Sequence, residues 1–216
     1  MTPKLKILIV GLTLAAAAAL ATASALIVSR PGTAPIAINK TATTGTAAIG
    51  GPFSLLATNG ETVTDQTFRG KWRLMFFGYT FCPDACPTAL NNISIALEKL
   101  GSDADKLQPL FVTVDPQRDT REVMADYLKS FNPRILGLTG TQDQINRVVK
   151  EFRIYVASQK SATSGGDYLV SHSAYIYLMD PQGKFVNVIQ GSESGEEIAA
   201  WLRKETGGLK LSRGLQ

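Results

Sequence analysis

The chain contains two cysteines, Cys82 and Cys86, and both lie in the segment GYTFCPDACPTAL at residues 78–90. Two thiols can form a redox couple, or they can supply half of a metal site. The C-x-x-x-C spacing is one residue wider than the dithiol of thioredoxins. Residues four apart on a helix lie on one face, with Cβ atoms about 5–6 Å apart, so the sulfurs can reach one metal ion or close a disulfide. A purely structural role is disfavoured, because glycine, proline and aspartate crowd the segment.

The only histidine of the chain is His172. A lone histidine is more often a surface residue than a ligand, so residue type alone does not select it. It precedes a strand predicted at Ala174–Met179, and in thioredoxin-like folds the loop that enters this strand packs against the dithiol. Oxidoreductases of that fold place a cis-proline there, whereas this chain has no proline between Pro133 and Pro181. We therefore expect the imidazole to lie beside the cysteines.

The pattern of apolar residues predicts strands and helices that alternate along the chain. The predicted strands are Phe53–Ala57, Thr62–Val63, Arg73–Phe77, Leu110–Val114, Ile135–Leu138, Ala174–Met179 and Lys184–Ile189, and the predicted helices are Pro87–Leu100, Asp119–Ser130, Asp143–Phe152 and Gly195–Lys204. This order is typical of an α/β thioredoxin-like fold, with a central mixed sheet flanked by helices. The cysteines fall where the first long strand meets the first long helix. Unpaired N–H groups and the helix dipole favour a thiolate at that position.

The charges are distributed unevenly. Four of the 22 Lys and Arg residues precede residue 51, and all 18 Asp and Glu residues follow it. The remainder of the chain therefore has no net charge. A nucleic-acid partner is not predicted, because nucleic-acid-binding domains concentrate basic residues on one face.

The N-terminal segment is predicted to associate with a membrane. Residues 7–28 are uncharged and follow Lys4 and Lys6, and a run of this length can cross a bilayer as one helix. We expect residues 1–30 to be a membrane anchor; the alternative is a signal peptide cleaved after Ala23 or Ala25. The basic flank places the following domain on the non-cytoplasmic side, in a bacterial periplasm or the mitochondrial intermembrane space.

The rest of the chain divides into three parts. Residues 31–50 are mostly Ala, Thr, Gly and Pro, so they are predicted to form a flexible linker. Residues 51–205 form the predicted thioredoxin-like domain, and residues 206–216 form a C-terminal tail.

Three motifs in this order resemble the Sco/SenC family. They are GYTFCPDACP at residues 78–87, VDPQRDT at residues 114–120, and His172 ahead of YLMDPQG at residues 177–183. The resemblance extends from about Gly51 to about Trp201. It implies a membrane-anchored, thioredoxin-fold copper protein that helps to assemble the binuclear copper centre of cytochrome c oxidase.

The resemblance also implies a ligand set and a partner. Cys82, Cys86 and His172 would bind copper as Cu(I) or Cu(II), and the partner would be the copper-bearing subunit of the oxidase; the upstream copper donor is not indicated. Many members have an acidic residue directly before the histidine, where this chain has Ser171. The group that orients the imidazole is therefore either supplied elsewhere or absent.

The chemistry of this ligand set agrees with copper. Two thiolates and one imidazole form a soft set that suits Cu(I), whereas structural zinc requires a fourth protein ligand. Catalytic zinc agrees with the number of ligands, but no substrate machinery accompanies it.

Two functions remain from the sequence. A copper chaperone requires all three ligands, whereas a thiol–disulfide oxidoreductase that reduces the cysteines of the target copper site requires only Cys82 and Cys86. A peroxidase is the least supported, because its local motif is absent. VDPQRDT either contacts the metal directly or is a structural turn in which Asp119 caps the following helix; the turn is at least as well supported, and Asp115 is not predicted to be a ligand.

Overall fold

The computed structural model describes residues 49–160 and 168–209. The predicted anchor, nearly all of the predicted linker and the end of the predicted tail lie outside these ranges. Among the helices in these two ranges, none has the length and hydropathy needed to span a bilayer.

Nine strands and four α-helices occur in the described ranges. The strands are β1 (Ser54–Ala57), β2 (Thr62–Thr64), β3 (Trp72–Gly78), β4 (Leu107–Thr113), β5 (Leu136–Thr139), β6 (Val156–Lys160), β7 (Tyr168–His172), β8 (Tyr175–Met179) and β9 (Phe185–Gln190). The helices are α1 (Ala85–Leu100), α2 (Arg121–Leu128), α3 (Gln142–Glu151) and α4 (Gly195–Glu205), and a 3₁₀ helix at Gly101–Lys106 follows α1. The predicted elements are confirmed to within a few residues at each end.

Seven of the strands form one mixed sheet in the order β2-β1-β5-β4-β3-β8-β9. Strands β3, β4 and β5 are parallel, whereas the other neighbours are antiparallel. Every residue of β3 is buried, because a strand covered on both faces buries both of its side-chain rows. This burial explains the continuous apolar run LMFF and places the end of β3 at the centre of one sheet edge.

Side-chain caps that the sequence supplies fix the N-termini of α2, α3 and α4. Thr141 and Gln144 form a capping box at α3, and Ser194 and Glu197 form another at α4. Helix α4 packs against α1. A Cβ at Gly195 would lie only 2.4 Å from the side chain of Ile95, so glycine permits this close approach.

The sequence analysis did not predict the β6–β7 hairpin. His172 was expected in a loop, but it is the last residue of β7 and pairs with Val156. In the described ranges, β6 and β7 pair only with each other and not with the seven-stranded sheet. The segments VASQK and YLVSH lack a long apolar run, so the pattern that predicts a buried strand does not identify them.

Candidate metal centre

The cysteine segment leaves the sheet at the end of β3, where Gly78 lies opposite Thr113 of β4. A Cβ at Gly78 would lie 2.7 Å from the Cys86 sulfur and 2.9 Å from the ring of Phe111. Both distances are below the usual carbon contact of about 3.5–4.0 Å. Glycine at this position therefore allows the Cys86 sulfur to approach the end of the strand.

The two cysteines occupy different parts of the turn into α1. Cys86 is the second residue of the helix, whereas Cys82 precedes it, so the prediction that both lie on one helix face is wrong. The Cys86 N–H donates to the Cys82 sulfur at 3.3 Å. The N-cap residue Asp84 makes no side-chain capping bond, and the Cys82 sulfur instead accepts one of the free N–H groups at the helix start.

His172 reaches the cysteines from the other side of the site. Its Nε2 lies 3.3 Å from the Cys86 sulfur, and its Nδ1 lies 3.2 Å from the carbonyl oxygen of Ser173. Donation from Nδ1 to this carbonyl leaves the Nε2 lone pair available for a metal. Ser171 does not provide the group that orients the imidazole. The backbone carbonyl of Ser173 provides it instead.

The three sequence-predicted ligands are brought together. Their ligand atoms all lie within 4.8 Å of one another, close enough to hold a metal ion. Cys86 is buried, whereas Cys82 and His172 are partly exposed, so the group opens to solvent on one side. Both cysteines are free thiols in the structure.

The two thiols differ in acidity. A hydrogen bond from Cys86 lowers the pKa of Cys82. The same bond to Cys82, together with burial, raises the pKa of Cys86. The more exposed sulfur, that of Cys82, is therefore the more acidic of the pair.

The VDPQRDT motif contacts the cysteine turn through Arg118. Asp115 is buried and ion-pairs with Arg118. The guanidinium of Arg118 lies over the rings of Tyr79 and Phe81, 5.6 Å and 5.0 Å from their centroids. Asp115 is not among the three side chains that converge at the site.

Asp119 anchors the start of the cysteine turn through hydrogen bonds to Thr80, a role that was not predicted from the sequence. Its fully buried carboxylate accepts bonds from the Thr80 N–H at 3.1 Å, the Thr80 hydroxyl at 2.6 Å and the Thr113 hydroxyl at 2.6 Å. Burial raises the pKa of this carboxyl group. The expected capping role was wrong, because Thr120 is the N-cap of α2. The sequence feature that could have indicated this role is a pair of threonines, Thr80 shortly after β3 and Thr113 at the end of β4.

Comparison with known proteins places this site in a family. The family model described as SCO1/SenC matches residues 41–207. The chain belongs to the SCO1/SenC family. This confirms the resemblance inferred from the three motifs.

Individual SCO1/SenC relatives extend the comparison. The chain is 44% identical over 160 residues to Protein sco1 of Schizosaccharomyces pombe, and the match covers 73% of this chain and 61% of that protein. It is 39% identical over 170 residues to the mitochondrial protein SCO2 of Saccharomyces cerevisiae, covering 74% of this chain and 56% of that protein. The chain thus spans little more than half the length of these curated relatives.

Solved SCO1/SenC structures share the fold. The structure of Bradyrhizobium japonicum ScoI with copper bound has 46% identity and a TM-score of 0.68, and the match covers 73% of this chain and 99% of that chain. The structure of Arabidopsis thaliana ScoI with copper bound has 37% identity and a TM-score of 0.69, covering 74% and 99%.

Proposed function

We propose that this SCO1/SenC protein binds one copper ion as cargo through Cys82, Cys86 and His172 and delivers it to the binuclear copper centre of cytochrome c oxidase. The observation that carries the proposal is the convergence of two sulfurs and one imidazole nitrogen within 4.8 Å. The copper-bound structures of two ScoI proteins support copper as the metal.

The donor set fits a copper ion that must later leave. Thiolate and imidazole ligands suit Cu(I), and a three-ligand set lacks the fourth protein ligand of a structural zinc site. Cys82 and His172 are partly exposed, so a thiolate, thioether or imidazole of the oxidase subunit can approach from the open side. Replacement of the resident ligands one at a time would then transfer the ion.

Reduction of the target's cysteines is a second candidate function, favoured by the unequal acidity of the two thiols. The Cys82 thiolate would attack a disulfide of the target, releasing one target thiolate and forming a mixed disulfide. Cys86, after losing its proton, would then attack Cys82 and release the second target thiolate. The target disulfide gains two electrons, and this protein is left with a Cys82–Cys86 disulfide.

The proposed location follows from the N-terminal sequence and the relatives. Residues 1–30 would anchor the protein, residues 31–50 would act as a linker, and the domain of residues 51–205 would face the non-cytoplasmic side. Relatives from Homo sapiens and Arabidopsis thaliana are named as mitochondrial proteins, which supports the intermembrane space or the equivalent periplasm. Retention of the full chain in membranes after carbonate washing is expected. Release of the intact chain by salt would contradict the anchor.

The copper site is tested by measuring the copper content and visible spectrum of the reduced full-length protein. We expect one copper ion per chain and a Cu(II)–thiolate charge-transfer band. Cys82→Ala, Cys86→Ala and His172→Ala should each abolish tight binding, because each removes one ligand. Ser171→Ala is the matched control and should bind normally, because adjacent residues of a strand point to opposite faces.

The two candidate functions are separated in cells. At limiting copper, a strain with His172→Ala should fail to assemble active oxidase, just as a strain with Cys82→Ala does. Normal assembly with His172→Ala but not with Cys82→Ala would favour dithiol reduction over copper delivery.

A further inference from the structure

Tyr79 directly follows β3 and contacts both the cysteine turn and the β6–β7 hairpin. It is buried, with 2% of its surface exposed. Its carbonyl accepts the N–H of Cys82 at 3.3 Å. Its ring meets the ring of His172 edge-on, with centroids 5.9 Å apart. Its hydroxyl accepts the N–H of Val170 in β7 at 3.3 Å.

The hydroxyl contact matters because of how His172 is held. His172 ends the β6–β7 hairpin, which pairs with no strand of the seven-stranded sheet in the described ranges. Strand pairing therefore does not fix the distance between the hairpin and the cysteines. The bond from the Val170 N–H to Tyr79 joins the hairpin to the end of β3, two residues before the histidine.

We infer that the Tyr79 hydroxyl is a positioning group for His172. Its bond to Val170 holds β7 in the position where His172 Nε2 contacts the Cys86 sulfur. This inference rests on the proposed copper site. The hydroxyl positions only the hairpin and not the cysteine turn. The carbonyl of Tyr79 holds Cys82, and a phenylalanine would retain both that carbonyl and the ring edge.

The size of the effect follows from burial. Val170 is 5% exposed, so removing its acceptor leaves a buried N–H without a partner when His172 is docked. The net contribution of one such bond corresponds to roughly a threefold to tenfold change in an equilibrium constant. The docked position of His172 should become less favourable by this factor, and copper affinity should fall with it.

The test is Tyr79→Phe in the reduced full-length protein, with Cu(I) affinity measured by competition with a chelator. We expect binding of one copper ion with threefold to tenfold weaker affinity. The Val170 amide should also exchange with solvent faster in the apo-protein. Tyr127→Phe is the matched control, because the buried Tyr127 hydroxyl has no hydrogen-bond partner among the described residues. Its affinity should stay within twofold of wild type.

A double-mutant cycle separates positioning from general loosening. In a His172→Ala background, measured with a weaker competing chelator, Tyr79→Phe should change Cu(I) affinity less than twofold. Wild-type affinity in Tyr79→Phe, or an equal loss with and without His172, would overturn the inference. Unchanged copper binding in His172→Ala would instead reject the proposed copper site itself.

Discussion

Replacing Gly78 by alanine tests whether the end of β3 sets the position of the Cys86 sulfur. The added Cβ would lie 2.7 Å from this sulfur and 2.9 Å from the Phe111 ring. Ordinary contacts are about 3.5–4.0 Å, so the neighbours have to withdraw by roughly 1 Å. Both side chains are fully buried, so neither can move without displacing other core groups.

Two effects of Gly78→Ala are expected, and they have one cause. Overpacking of this kind lowers the free energy of unfolding by about 1–3 kcal/mol. Metal–ligand distances tolerate only about 0.2 Å, so a displaced Cys86 sulfur should also weaken copper binding. Part of the strain is relieved by moving the Cys86 sulfur away from its metal-binding position. Each 1.4 kcal/mol of binding free energy lost in this way lowers the Cu(I) affinity about tenfold.

The assay combines urea unfolding of the reduced apo-protein with Cu(I) competition. Gly101→Ala is the control, since Gly101 has φ of 57° and a Cβ there would have no neighbour within 4 Å. Its backbone, at φ 57° and ψ −127°, is unfavourable for alanine and should cost about 1–3 kcal/mol of stability, with no change in copper affinity. If Gly78→Ala loses stability but binds Cu(I) as tightly as wild type, the strand end does not position the sulfur.

Three further predictions concern the thiols, the buried aspartate and the competition for the sulfurs. Because the hydrogen bond from Cys86 lowers the pKa of Cys82, the rate at which Cys82 reacts with iodoacetamide should change only a few-fold between pH 6 and pH 8. A tenfold rise in rate per pH unit would indicate an ordinary thiol. Cys86 should react slowly over the whole range. Asp119→Ala should lower the unfolding free energy by about 2–4 kcal/mol in urea titrations, because a buried N–H and two hydroxyls lose their acceptor, while Asp126→Ala on the exposed face of α2 should change it by less than about 0.5 kcal/mol. Excess Cu(I) should raise the thermal midpoint of the dithiol form, by about 2.7 kcal/mol of stabilisation at a hundredfold excess over Kd, and an equal response of the disulfide form would contradict ligation by the same two sulfurs.

The pH dependence of Asp119 gives an additional check on the second of these predictions. Its pKa is raised in the folded state by burial, so the folded protein binds this proton more tightly than the unfolded chain. The contribution to stability is fully present below the unfolded pKa and is lost as pH rises through the folded value. The stability difference between wild type and Asp119→Ala should therefore widen as the pH is lowered, and a difference that narrows would contradict the assignment.

The sequence alone was sufficient to predict the main sheet and to select the three candidate metal-binding residues that the structure brings together. The apolar run at Leu74–Phe77 predicted the central strand, because each residue of a strand covered on both faces is buried. Helix periodicity and end signals located α1 to α4 to within a few residues. The two cysteines, the only histidine and the motif at residues 114–120 were sufficient to indicate the family and its metal.

The tertiary structure decided how those ligands are held. Cys86 and His172 meet across 86 positions of sequence, and Thr80 and Asp119 across 39. The bond between Tyr79 and Val170 spans 91 positions. Local periodicity records only how deeply each segment is buried, whereas these bonds depend on which strand ends share an edge of the sheet. For that reason the residue types predicted the metal site, and the packing of the hairpin against the end of β3 determined its geometry.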